Sequence, residues 1–302
     1  MAENIKENIQ SLRTHRNAVI LVHNYAPGDV QDIGDFVGDS LELARKAAAT
    51  DADVIVFCGV HFMAETAAIL SPDKTVLMPD REAGCPMANM ATPRELAEYR
   101  RKYPDASVVT YVNSSAEIKA MSDICCTSAN AVDIVGSFPE NRDIIFVPDR
   151  NLGAYVEQRL GRKLILWPGY CPTHHRILLE QLRETREQHP GAPVIVHPEC
   201  RPEIIAEADA VGSTSQILRY CRETTASEII VGTEIGILHR LEKENPGKTF
   251  YPASPIMDCP NMKLNTLEKV MWVLEDMAPV ISLDEETAEK ARIPIERMLE
   301  QS

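Results

Sequence analysis

The chain has 302 residues, of which 44% are hydrophobic and 25% charged, a composition that supports two or three folded units and excludes a disordered chain. A formal net charge of -14 and a pI near 5.1, with no compensating block of Lys or Arg, exclude nucleic acid and anionic membrane surfaces as natural partners. The first residues lack the basic then apolar pattern of a secretion signal, and no apolar run approaches the roughly 18 residues of a membrane span, so a cytoplasmic location is expected.

In chain order, a first amphipathic helix over 5–15 leads into the apolar strand 18–22, which ends in His23-Asn24-Tyr25. Val37-Gly38-Asp39-Ser40 opens a helix over 41–49; a strand at 54–57 and one at 75–78 follow, the second running into Cys85-Pro86. The same order then returns. A helix over 93–103 precedes the strand that ends in Tyr111-Val112-Asn113-Ser114, Thr127-Ser128-Ala129-Asn130 opens a helix, and strands at 144–147 and 164–167 lead to Cys171-Pro172. In a third pass, the strand 194–196 ends in His197-Pro198-Glu199-Cys200, Gly212-Ser213-Thr214 opens a helix, and strands at 229–231 and 249–251 lead to Cys259-Pro260. A helix over 262–277, Val280-Ile281 and a last helix complete the chain.

Short strands alternating with helices imply parallel sheets built from βαβ units. The three Cys-Pro pairs lie 86 and then 88 residues apart, the mark of an internal repeat. The expected fold is therefore α/β, with three similar three-layer units over 1–86, 87–171 and 172–278, and a tail, 279–302, packed back on the first. In such sheets the ligand site lies beyond the carboxyl ends of the strands, where each unit puts its unusual polar residues.

Eight cysteines without a secretion signal are expected as free thiols, and the absence of any C-x-x-C pair excludes thioredoxin-like and ordinary zinc-ribbon spacing. Three thiolates meeting from three loops cannot close a four-ligand structural zinc shell. They suit an iron–sulfur cluster with one iron free of protein ligands, which can act as a Lewis acid toward a substrate oxygen. The alternative is three buried structural cysteines in a symmetric scaffold. Cys58, Cys125, Cys126 and Cys221 sit in strand or helix patterns; Cys200, beside Glu199, is left open.

Two further constellations recur. The helix starts at Ser40, Ser128 and Ser213-Thr214 offer anion sites, unless they are plain N-caps. The first-strand endings, His23 and Tyr25, Tyr111 and Asn113, His197 and Glu199, carry the donors and the carboxylate that acid–base chemistry around a carbonyl needs. Glu199 is expected to have a raised pKa and to act as base, and His174, three residues after Cys171, to touch a ligand beside the metal. Gly34 to Gly38 does not follow a strand in the G-x-G-x-x-G form, and no Walker motif, G-x-S-x-G elbow or H-E-x-x-H is present.

Taken together, Val22-His23-Asn24-Tyr25, Gly38-Asp39-Ser40, Pro148-Asp149-Arg150-Asn151-Leu152-Gly153, Cys171-Pro172-Thr173-His174, His197-Pro198-Glu199-Cys200 and Gly232-Thr233-Glu234-Ile235-Gly236 closely resemble the quinolinate synthase family, in order over about 18–265. The resemblance implies a 4Fe-4S cluster on Cys85, Cys171 and Cys259, and three α/β domains about a pseudo-threefold axis. It implies condensation of iminoaspartate with dihydroxyacetone phosphate to quinolinate, phosphate and water in NAD biosynthesis, with a functional link to the enzyme supplying iminoaspartate. It implies substrate contacts at His23, Ser40, Tyr111, Asn113, Ser128, His197, Glu199 and Thr214, and acid–base roles for Tyr25 and Glu199. Tyr170 before the second ligand and Pro260 after the third depart from the family's usual residues. Two other readings use the same cysteines: an aconitase-like hydro-lyase acting on another polycarboxylic acid, and a non-catalytic iron–sulfur sensor.

Overall fold

The computed structural model describes residues 2–301. Its strands form three four-stranded sheets, and every pairing within them is parallel. The first holds β1 (Ala18–His23), β2 (Phe36–Gly38), β3 (Val54–Cys58) and β4 (Thr75–Leu77). The second holds β5 (Ser107–Tyr111), β6 (Ile124–Cys126), β7 (Ile144–Val147) and β8 (Ile165–Leu166). The third holds β9 (Val194–Val196), β10 (Ala210–Val211), β11 (Glu228–Gly232) and β12 (Thr249–Pro252). The order is the same three times: β2-β1-β3-β4, β6-β5-β7-β8 and β10-β9-β11-β12.

Central strands such as Val54–Cys58 and Ile144–Val147 are buried at every residue, the continuous apolar pattern of a parallel sheet covered on both faces. Each sheet is thus the middle of three layers, as the alternating pattern predicts. The order reverses between the first and third strand of each unit, so three switch-point crevices open at the carboxyl ends of β1 and β3, β5 and β7, and β9 and β11.

A polar device repeats with the fold. Asp35, Asp123 and Asp209, each just before an edge strand, accept the amides of Ile20, Val108 and Val194 at 2.8, 2.7 and 2.8 Å. Their own amides return to the carbonyls of the same residues at 2.9, 3.0 and 2.9 Å. The preceding helices supply Arg13, Arg100 and Arg186 to the three carboxylates. The device pins the register of edge strands too short to be held by side-chain packing alone.

The helices after the Cys-Pro loops step forward by one unit. Leu96 packs with Val108 and Ile145 of the second sheet, Leu182 with Val194 and Ile230 of the third. The helix after Cys259, Leu267–Asp276, therefore closes the ring. Leu267, Val270, Val273 and Leu274 pack with Ile20, Val22, Val54 and Val56, so this helix covers the first sheet although it lies within 172–278. The tail does not stay on the first unit either. Val280 bridges Leu77 and Ile281 donates to Val76 O at 2.8 Å, but Ala291, Ile295 and Met298 of the helix Glu285–Glu300 enter the core of Val109, Ile124 and Cys125 in the second. It straps the two units together because both expose an apolar face there. Among the described residues, no helix is long and apolar enough to cross a membrane.

Candidate active site

The three crevices open into one cavity of about 210 Å³. Its wall includes His23, Tyr25, Ser40, Tyr111, Asn113, Ser128, His174, His197, Glu199, Thr214 and the three cysteines Cys85, Cys171 and Cys259. Ser213 is not brought to the wall. Its hydroxyl is the N-cap of the helix Thr214–Glu223, accepting from Gln216 N at 3.4 Å, so it is the plain cap that the sequence left open. Ser40 and Thr214 are the first residues of their helices, capped by Asp39 and Ser213, so neither hydroxyl is spent as the cap; Thr214 Oγ1 accepts from Asn24 Nδ2 at 3.1 Å and keeps its O–H to donate.

Glu199 lies at the centre. Its Oε2 is 2.7 Å from His174 Nδ1, its Oε1 accepts from Asn113 Nδ2 at 3.3 Å, and Asn151 Nδ2 holds its backbone carbonyl at 2.9 Å. Burial pushes the carboxyl up, but the His174 imidazole and the donors around it outweigh burial and hold it down at about 2. The raised pKa expected from a buried strand end is therefore corrected: the neighbours supply what water would have supplied.

His23 and His197 are buried, and burial lowers each to about 3, so both are neutral at pH 7. Tyr25 N and Glu199 N donate to their Nδ1 atoms at 3.2 and 3.3 Å. The proton must then sit on Nε2, and His197 Nε2 donates to Ser128 Oγ at 3.2 Å. Tyr25 and Tyr111 are pushed well above the ordinary phenol value, first by burial and then by the Glu199 charge, and they stay protonated donors.

A hydrogen-bonded chain joins the two ends of this chemistry. From Glu199 it passes to His174 Nδ1, from His174 Nε2 to Thr233 Oγ1 at 2.8 Å, and from Thr233 Oγ1 to Tyr25 Oη at 2.5 Å. Thr233 stands in a segment that carries the family resemblance, but a threonine one residue beyond a strand has no role legible in the sequence until the fold places a tyrosine opposite it. Arg176 is a second omission. It lines the cavity, anchored to Asp258 Oδ1 at 3.2 Å, and its buried Nε has no partner.

All eight cysteines are free thiols, and Cys85, Cys171 and Cys259 are the partly exposed ones. Burial pushes Cys85 up to about 12, while the amides of Ala88 and Met87 point at its sulfur; Met262 and Asn261 do the same for Cys259, and His174 for Cys171. These amides offset part of the burial that keeps the thiols protonated, and a bound cation would favour the thiolate form. The donor set fits a metal group. A second group, Cys171, His174 and Glu199, has its ligand atoms within 4.8 Å of one another. Cys200 takes no part. It is buried, with Sγ against Gly232 O at 3.4 Å.

The family model for quinolinate synthetase A protein matches residues 7–300. The chain belongs to the quinolinate synthase family. It is 56% identical over 297 residues to the quinolinate synthase of Dehalococcoides mccartyi, covering 98% of each protein. It is 53% identical to those of Geobacter sp. strain M21, over 98% of this chain and 97% of that one, and Thermodesulfovibrio yellowstonii, over 99% of each. A solved E-1-hydroxy-2-methyl-but-2-enyl-4-diphosphate reductase from Plasmodium falciparum aligns over 91% of this chain and 83% of that one at 10% identity, with a TM-score of 0.29, too low to equate the two. Quinolinate synthase activity makes the chain an enzyme, a transferase that forms quinolinate for NAD biosynthesis. The cavity wall combines neutral imidazole and hydroxyl donors with the cation of Arg176 and the carboxylates of Glu199 and Glu234.

Proposed function

We propose that the enzyme condenses iminoaspartate with dihydroxyacetone phosphate, releasing phosphate and water, in a site holding a 4Fe-4S cluster on Cys85, Cys171 and Cys259. The observation that carries the reading is the chain from Glu199 through His174 and Thr233 to Tyr25, in the same cavity as three thiols of equal register. Bound there, the cluster supplies a Lewis-acid iron, open to a substrate oxygen.

The side chains divide the rest. His23, His197, Ser40, Ser128, Thr214 and Asn113 donate to the carboxylates and the phosphate, and hold the two substrates as one reacting pair. Glu199, ionised at neutral pH, takes protons from carbon and nitrogen. The proton then leaves through His174, which frees the carboxylate for a second transfer. Tyr25, at the far end, returns a proton to a leaving oxygen, and Tyr111 stabilises negative charge on oxygen as it develops. This two-ended chain suits a condensation with dehydration better than electron transfer by a sensor, which needs no buried acid and base. The eight free thiols favour work in the cytoplasm, beside the enzyme that supplies iminoaspartate.

The test is anaerobic purification and reconstitution, with visible absorption, iron and sulfide content, and quinolinate formation from the two substrates. The expected result is a coloured protein that makes quinolinate, and loss of both properties in Cys85→Ser, Cys171→Ser and Cys259→Ser. A colourless, iron-free protein that is equally active would overturn the cluster assignment; a loaded protein inactive on these substrates but dehydrating another polycarboxylic acid would favour the hydro-lyase.

A further inference from the structure

Each repeat ties the end of its third strand to its Cys-Pro loop with the same backbone hydrogen bond. His61 N donates to Ala83 O at 2.8 Å, Arg150 N to Gly169 O at 2.9 Å and Ile235 N to Met257 O at 3.1 Å. In every case the acceptor stands two residues before the cysteine. The second and third repeats add a carboxylate to this tie. Asp149 Oδ2 accepts the Cys171 amide at 3.2 Å, and Glu234 Oε1 accepts the Cys259 amide at 2.8 Å.

The other oxygen of each carboxylate is taken by amides at the start of the next segment. Asp149 Oδ1 accepts from Asn151 N at 2.7 Å and Leu152 N at 3.0 Å, and Glu234 Oε2 from Gly236 N at 2.7 Å. Both carboxylates are fully buried. In the first repeat the same position, two residues beyond the strand, is Val60, which offers no acceptor. A buried carboxylate gripped at both oxygens has one orientation, so the amide it accepts is oriented too. That amide nitrogen is bonded to the Cα, and the sulfur follows two bonds further on, through Cβ.

Resting on the reading that the three cysteines hold a cluster, we propose that Asp149 and Glu234 are positioning residues for two of its ligands, Cys171 and Cys259. They lock the loop of each ligand to the rigid end of a strand, and Cys85 is held without such a lock. Glu234 extends its hold to the first repeat: Lys263 Nζ lies 2.8 Å from Glu234 Oε1 and donates to Tyr25 O at 2.7 Å. The position of Cys259 is thereby coupled to that of Tyr25.

The experiment uses the full-length, anaerobically reconstituted protein and its D149N, D149A, E234Q and E234A variants. The amide variants keep size and one acceptor oxygen but set an N–H donor against another. Iron and sulfide content, the Mössbauer spectrum and the rate of iron release to a chelator are read beside the far-UV circular dichroism. The expected result is iron release about 10- to 100-fold faster than in the parent, with an altered spectrum and unchanged secondary structure. D123N, at the start of an edge strand and without contact to the Cys85, Cys171 or Cys259 loops, is expected to lower the melting temperature without moving the release rate.

Parent-like release and spectra in both alanine variants would overturn the proposal. Should the alanine variants fail to fold, amide hydrogen exchange in the parent decides it, because Cys171 and Cys259 amides that exchange as fast as the Cys85 amide would overturn the lock. A parent that takes up no cluster would overturn the cluster reading and this inference together, whereas a loaded parent with unaffected variants overturns the inference only.

Discussion

The first and third repeats share strand order yet end their first strands in opposite chemistry. β1 runs into His23 and Tyr25, β9 into His197 and Glu199, so the tyrosine and the glutamate occupy equivalent places. Their surroundings push them apart. The phenol is raised well above its usual value and stays protonated, and the carboxyl is held at about 2 and stays ionised. In the proposed mechanism acid and base come from one position of one fold, so the repeat sets where groups stand while the neighbours decide their charge. The histidines, by contrast, are treated alike in both repeats, each buried, neutral and fixed by a backbone amide.

The largest expected effect breaks the division of roles. Glu199→Gln removes the base and is expected to lower kcat by about 10²- to 10⁴-fold, with cluster content unchanged. Steady-state assay of the reconstituted variant checks it, and full turnover would show that the two equivalent positions do not split acid from base.

Next is the junction between the first and second repeats. Lys119 is fully buried, and its Nζ donates to Ser114 O at 2.9 Å, Thr66 Oγ1 at 3.1 Å and Phe62 O at 3.4 Å, near the buried Glu65. Burial lowers its pKa, with the Glu65 charge opposing that shift. Lys119→Met leaves those acceptors and a buried carboxylate without their cation, and a loss of about 3 kcal/mol is expected in urea unfolding. Truncating the exposed Lys290 instead should be near neutral, since it pairs with Glu286 across open helix surface.

The likeness of the two histidines gives a pH test. Each has a folded pKa of about 3 against 6.5 unfolded. Between those values the unfolded chain binds more protons, so stability is complete above 6.5 and is lost as pH falls toward 3. The slope is about 1.4 kcal/mol per pH unit for each ring. His23→Gln and His197→Gln should each flatten the acid limb of a melting-temperature profile by a similar amount, and a difference between them would end the equivalence.

The smallest effect concerns the register device. Arg100 and Arg186 stand at matching positions and pair with half-exposed aspartates at 3.2 and 3.1 Å. Arg100→Ala and Arg186→Ala are each expected to cost less than about 1 kcal/mol in urea unfolding.

Much of the cavity wall was legible because polar residues at strand ends stand out against apolar runs: His23, Tyr111, His197 and Glu199 all line it. The helix starts were legible as a set but not one by one, since whether Ser213 or Thr214 faces the ligand depends on which is spent as the cap. Thr233, Asp149 and Glu234 lie in segments that carry the family resemblance, but nothing local gave them a role, and Arg176 lies in none of those segments. Their partners are 208, 22, 25 and 82 residues away in sequence, and no periodicity joins them.

By itself, the sequence determined the threefold α/β repeat and the register of three cysteines, because hydrophobic period and fixed spacing are local properties of the chain. It also placed His23, Tyr25, Tyr111, His197 and Glu199 at strand ends. Only the tertiary structure decided that the helix Leu267–Asp276 closes on the first sheet, that Glu199 is ionised rather than raised, and that Tyr25 answers it through Thr233 and His174. Those outcomes depend on which side chains from different repeats come within a few ångströms in a water-poor cavity, where burial and neighbours, not residue type, set charge and contact.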